Sequence, residues 1–362
     1  MIKVKISTAH LDIPIIQITP GSKGIIGNYQ FFINQDIPEA DWWVVIDGLA
    51  KKESVRCPRE NTVLITLETE VVKKYQQHYV DQFNWVVTSQ QTLKHPRQIF
   101  THQGHQSYLF MKRILPGQSL ESYHRQFKSY DELRSMTPAD IPKSKIMSAV
   151  VSHKLRTEGA VARHNFITKI KEHFGKQFDI YSNKPDVFGP ETKVAGYKWD
   201  AVAPYKYVIS IENSYAPHWW TNHLFDAFLA GAYPIFYGHP SVFEYFPKNS
   251  LTLVDINDIP TGIATIEKVI SENYHEKYHN EIWAARQLVI DKYNQFQTIV
   301  NIISKLPEGS KKQSVTIEPE RDPLLVRKQK CIRIIEKIPI ARNIGRLAYR
   351  AYRQLRYGWK RT

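Results

Sequence analysis

The apolar run Tyr207-Val208-Ile209-Ser210-Ile211 stops abruptly at Glu212-Asn213-Ser214. Such a run reads as a buried strand of a parallel sheet. Its three polar residues then fall at the carboxyl end, where open parallel sheets bind ligands. A loop, Tyr215–Trp220, leads to Thr221, a good cap for a helix from about Asn222 to Ala230. Gly231 is a good stop for that helix. The helix would point free N–H groups and the positive end of its dipole into the crevice beyond Glu212. A nucleotide diphosphate would sit well there. On spacing alone, the segment is equally an ordinary strand–loop–helix connection with a capping threonine.

The elements around it repeat the same alternation. Trp43–Ile46, Val63–Thr66 and Trp85–Thr88 read as buried strands, with a helix expected from Val71 to Tyr79. Residues 113–143, with Pro116, Pro138 and Pro142, read as a connection carrying a short helix near Asp131–Arg134. Ile146–Val151 and Phe178–Tyr181 are strands flanking a helix from Gly159 to Phe174. Tyr233–Tyr237 closes a βαβ unit, with Gly238 at its end. Helices are expected at Ala264–Glu272 and Glu276–Tyr293, and a flexible linker at Glu308–Ser314.

A chain of 362 residues exceeds what one core usually supports, so two domains are expected. The boundaries read as 1–140 and 141–307, followed by a tail, 308–362. Two distant cysteines, Cys57 and Cys331, fit a reducing compartment. The first residues lack a signal-peptide pattern, and no apolar run is long enough to span a membrane. No Asp-x-Asp pair, Walker A loop or His-Glu-x-x-His motif occurs, so no metal is expected. His275 and His279 have zinc-compatible spacing but no third ligand, and read as a surface helix.

The net charge of +14 is concentrated in the tail. From Arg321 to Thr362 there are 13 Lys/Arg against Asp322 and Glu336. Within 341–360, Ile344, Leu347, Ala348, Ala351, Tyr352, Leu355 and Trp359 share one helical face. Arg342, Arg346, Arg350, Arg353, Arg356 and Lys360 share the other. A basic amphipathic helix of this kind suits an anionic membrane surface better than a nucleic acid.

The stretch Tyr205-Lys206-Tyr207 through Glu212-Asn213-Ser214 resembles the signature of family 10 glycosyltransferases, the α-1,3/4-fucosyltransferases. Trp220-Thr221-Asn222-His223, Pro234–Gly238, Tyr245–Ser250 and Val254–Asp258 continue the resemblance, as do Asp41–Leu49 and Asn61–Glu68 nearer the start. It covers roughly residues 20–300. It implies a GT-B architecture, two Rossmann-like α/β domains facing a cleft, with the acceptor held by the first and the nucleotide sugar by the second. The implied reaction is an inverting transfer of fucose from GDP-fucose, with no metal or other cofactor.

Inversion in one displacement needs a base for the acceptor hydroxyl and positive charge for the departing diphosphate. The resemblance assigns the base to Glu68, with Glu70 as competitor. It assigns the diphosphate to Arg163, joined by Lys154. Donor contacts are expected from Tyr207, Glu212, Asn213, Ser214, Thr221, Asn222 and His223, and acceptor contacts from His102 and His105. The family's Thr-Glu-Lys is here Thr221-Asn222-His223. That departure leaves open a different nucleotide-sugar donor, or a non-catalytic glycan- or membrane-binding relic. Similar basic tails imply peripheral attachment at the inner face of a bacterial inner membrane and a glycan or lipopolysaccharide acceptor.

Overall fold

The computed structural model describes residues 1–9, 15–104, 128–155, 157–182, 187–194 and 197–320. His105 and the basic helix expected at 341–360 lie outside the described residues.

Eight strands come first: β1 (Ile2–Thr8), β2 (Ile25–Ile26), β3 (Tyr29–Ile33), β4 (Trp42–Ile46), β5 (Glu53–Pro58), β6 (Thr62–Ile65), β7 (Trp85–Thr88) and β8 (Gln98–Phe100). All but β5 form one sheet in the order β2-β3-β1-β4-β6-β7-β8. Its pairings are parallel except that of β2 with β3. Every residue of β4 is buried, as the unbroken Trp-Trp-Val-Val-Ile run requires. Trp43 and Val45 pack on one face, and Trp42, Val44 and Ile46 on the other.

The second sheet is fully parallel, in the order β10-β9-β11-β12-β13. Its strands are β9 (Lys145–Val150), β10 (Phe178–Tyr181), β11 (Tyr205–Ile211), β12 (Tyr233–Tyr237) and β13 (Thr252–Leu253). Helices α1 (Gln77–Val80) and α2 (Tyr130–Ser135) precede it. Helix α3 (Glu158–Phe174) joins β9 to β10 and covers one face through Phe166, Ile167 and Ile170. Helix α4 (Asn222–Leu229) joins β11 to β12 and covers the other through Leu224, Phe225 and Phe228. The winding therefore reverses between β9 and β11, which opens a crevice beyond their carboxyl ends.

Several expectations change. The helix over Val71–Tyr79 is reduced to α1. Lys73 and Tyr75 instead turn back onto Asp47, and the Gln76 amide is taken by Glu320. The helix from Glu276 is broken at Tyr278 into α6 (Tyr274–Lys277) and α7 (His279–Asp291), after α5 (Ile259–Ser271). His275 is buried there, its Nε2 3.1 Å from the Gly231 carbonyl, rather than on a surface helix.

Residues 308–314 do not form a free linker. Strand β14 (Lys312–Ile317) pairs antiparallel with β5 and buries Val315 and Ile317 against the first sheet. Helix α8 (Gln295–Ile303) lays Phe296, Ile299 and Ile303 on that sheet's other face. The first domain is thus completed by chain that follows the second, so the expected division at 307 does not coincide with a packing boundary.

Candidate active site

The site is assembled where the loop after β6 meets the turn after β11. Thr69 Oγ1 and Ser214 Oγ share a hydrogen bond of 2.8 Å across the two domains. Trp219 Nε1 donates to the Leu67 carbonyl at 2.9 Å. Both bonds are buried or nearly so, where a hydrogen bond counts for most and an unmade one costs most.

On the second-domain side, Glu212 is 1% exposed. Its carboxylate accepts from the Thr221 amide at 2.7 Å and from the Thr221 hydroxyl at 2.9 Å. The same hydroxyl accepts from the His223 amide, so Thr221 caps α4 as expected. Ser210 Oγ donates to the His223 carbonyl at 2.9 Å, tying the helix start to β11. Burial pushes the Glu212 carboxyl up to about 7, against the Thr221 bonds and the nearby charges of Arg163 and Lys198, which pull it down. Glu212 and Thr221 are therefore spent on each other. They set the direction of α4 rather than facing an open donor site.

Helix α3 approaches the same turn from the opposite face. A Cβ at Gly159 would lie 2.4 Å from the Asn213 carbonyl, so only glycine permits this approach. One turn further on, Arg163 is buried and donates to the Ile211 carbonyl at 3.4 Å, while its Nε has no hydrogen-bond partner. Burial lowers its pKa, opposed by Glu212. Arg163 thus stands beside the carboxyl end of β11. Lys154 is exposed on the loop after β9. Asn213 is half-buried and accepts from Ser214 at 3.3 Å, while Asn222 Nδ2 reaches Asp226 at 3.3 Å.

Two expected ligand residues are elsewhere. Tyr207 lies near the start of β11, about 13 Å from its end at 3.3 Å per residue. Its ring packs on Tyr233 and its hydroxyl accepts from the His275 amide, so it is core. His102 is 2% exposed and stacks on Trp220 with ring centroids 4.0 Å apart. Its Nδ1 accepts from the Gly104 amide and its Nε2 lies 3.4 Å from the Trp220 carbonyl, so both ring nitrogens are engaged within the protein. His223 is half-buried; desolvation, reinforced by Lys198 and Arg163, holds its pKa well below 6.5. It is neutral at pH 7 and brings a hydrogen-bond donor without a charge.

The first-domain side is a loop. Gln90, itself buried, donates to the carbonyls of Glu68 and Lys73 at 2.7 and 2.9 Å. Glu68 is half-buried, and Glu70 has a carboxylate oxygen, Oε2, that is buried with no hydrogen-bond partner. Sequence reasoning missed the Lys198–Asp226 ion pair beside α4. Its one signal was a lone carboxylate inside the apolar run Leu224–Leu229. Also missed was a cavity of about 480 Å³ bounded by Tyr215, Tyr237, Gly238, Asp255 and Asn257, at the carboxyl ends of β12 and β13.

Two α/β units with parallel sheets, meeting at a cleft between their strand ends, have the arrangement of a GT-B fold. Residues 141–316 match the family model described as glycosyltransferase family 10 (fucosyltransferase), C-terminal, so the chain carries a family 10 glycosyltransferase domain over that part. A GDP-fucose protein O-fucosyltransferase 3 from Gallus gallus is 27% identical over 88 residues, 24% of this chain and 18% of that protein. The match thus spans under a fifth of the relative's length. A crystal structure of an α1,3-fucosyltransferase with GDP superposes with a TM-score of 0.47 at 13% identity, covering 81% of this chain and 92% of that one. An α-glucosyltransferase in complex with UDP and DNA gives 0.49 at 8% identity, covering 84% and 99%.

Proposed function

We propose that the protein transfers fucose from GDP-fucose to a hydroxyl of a glycan or glycolipid, with inversion and with Glu68 as general base. The observation that carries this reading is the capped amino end of α4 at the reversal of the second sheet, facing the loop that bears Glu68. The α4 amides and Arg163 would take up charge as the diphosphate leaves. Glu68 would take the acceptor proton from the opposite wall. The cavity beside Tyr237 and Asp255 has the size and mixed lining of a nucleoside pocket. The fucosyl and guanosine assignments are supported by the family description and by the relative named for GDP-fucose. The reading requires no metal.

A second base is favoured by one observation, the unpartnered buried oxygen of Glu70. A buried carboxylate oxygen without a partner is costly, and a substrate hydroxyl would satisfy it.

Among the described residues no helix is long and apolar enough to cross a membrane. The basic face of 341–360 would hold the enzyme reversibly at the inner leaflet of a bacterial inner membrane, beside a lipopolysaccharide-type acceptor. The test of the donor is a thermal-shift screen of GDP, UDP, CDP and their sugars. GDP and GDP-fucose at a hundred times their Kd should stabilise by about 2.7 kcal/mol. Stabilisation by a UDP or CDP sugar alone would reassign the donor, and no response to any nucleotide would make the protein a binding relic.

A further inference from the structure

We propose that Lys198 is the residue that supplies positive charge to the donor diphosphate, and that Asp226, one turn into α4, holds it there. The proposal rests on the donor site described above and adds a residue to it.

A diphosphate at the amino end of α4 brings more negative charge than the helix dipole, about half an elementary charge, can balance. The side chains at that end do not make up the difference. Asn222 is neutral and is engaged with Asp226. His223 is uncharged at pH 7. Arg163 approaches from the α3 face and already donates to the Ile211 carbonyl.

Lys198 comes from the α4 face. It stands at the start of a 3-10 turn, Lys198–Ala201, that packs against β9, with Ser148 Oγ donating to the Ala201 carbonyl at 2.7 Å. Its ammonium is ion-paired with Asp226, one helical turn after Asn222. The pair is asymmetric. The Asp226 side chain is 1% exposed and that of Lys198 is 14% exposed, so the cation is the member nearer solvent. An ammonium has three donors, and the pairing leaves capacity for a phosphate oxygen. Its charge is felt by both Glu212 and His223, which flank the end of β11 and the start of α4. Lys198 and Arg163 thus stand on the two opposite faces of the sheet at its reversal. For stability alone, an apolar pair would serve this site as well as a desolvated ion pair.

The test measures the Kd of GDP and of guanosine by calorimetry in the full chain. Lys198→Gln should weaken GDP about ten- to hundredfold and leave guanosine unchanged, the loss of one charge-assisted contact. Lys198→Arg should keep most of the affinity. His223→Lys placed in the Lys198→Gln background should restore it, because it returns a cation to the same helix end. If Lys198→Gln unfolds because Asp226 is left buried and unpaired, Lys198→Gln/Asp226→Asn removes both charges and the same ratio is read. A folded variant with the wild-type ratio of GDP to guanosine affinity overturns the role of Lys198 and leaves the donor site standing. A wild-type protein that binds guanosine and GDP equally overturns the diphosphate site and Lys198 with it.

Discussion

The two walls of the cleft are built by different means. The second-domain wall is made of regular ends: a strand terminus, a capped helix and a buried carboxylate joined to both. The first-domain wall is the irregular stretch from Leu67 to Gln76, held in place by side chains. Gln90 grips its carbonyls, Lys73 lies 3.2 Å from Asp47, and the Tyr75 hydroxyl donates to Asp47. Burial and Asp47 push the Tyr75 pKa well up, so that hydroxyl keeps its proton. Backbone geometry set by secondary structure is harder to re-aim than a loop tied by side chains. The first arrangement suits a ligand of fixed shape, the second a partner that varies.

The largest effect should come from the loop. Glu68→Gln should lower turnover by about 10²- to 10⁴-fold with the donor Kd unchanged, the usual worth of a general base. Glu70→Gln is the matched control. If Glu70→Gln gives the large loss and Glu68→Gln keeps near-normal turnover, the base is Glu70 and the wall is correctly placed but misassigned by two residues.

The next effect belongs to the regular wall and is read by pH. The Glu212 carboxyl is raised from 4.5 to about 7. Below 4.5 it is protonated in both folded and unfolded chains and costs nothing. As pH rises from 4.5 to 7, the unfolded chain releases the proton first, so stability falls; above 7 the difference is constant. Glu212→Gln keeps an acceptor for the Thr221 amide and has no proton to lose. Urea unfolding should therefore show wild type losing about 3 kcal/mol relative to Glu212→Gln over this window. Parallel pH profiles would mean that Glu212 is not held as described.

The smallest effect tests the contact between the walls. Thr69→Val removes the hydroxyl that meets Ser214. It should cost about 1 kcal/mol in denaturant unfolding and leave the GDP Kd unchanged. A weakened GDP Kd would show that the two walls are not independent.

The second wall was largely legible in the sequence and the first was not. Runs such as Tyr233–Tyr237 are apolar throughout and bounded by glycine, so both identity and limits were readable. β1 alternates Ile-Lys-Val-Lys-Ile, and β5 and β14 are mostly polar, each meaningful only beside a partner strand distant in sequence. The helix expected at Val71 fails for a tertiary reason, since Asp47 and Glu320 take the groups that would have stayed with it. Tyr207 and His102 were misplaced because a motif gives order along the chain without depth in the fold. Lys198 has no motif at all. Its role depends on Asp226, 28 positions later, and the pairing exists only once the 3-10 turn at Lys198–Ala201 and α4 are packed together.

Glu318 and Glu320 give the segment just after β14 a mechanical meaning. The Glu318 amide donates to Gln82, whose own amide returns a bond to the Glu318 carbonyl. Glu320 takes the Gln76 amide at 2.7 Å and lies 3.5 Å from Lys73. A pull on the sequence beyond residue 320 would act on the same stretch that carries Glu68 and Glu70. The place to sever the tail is therefore after Glu320. A cut at 308 would remove the load path itself, together with Val315 and Ile317, whose burial contributes about 3–6 kcal/mol.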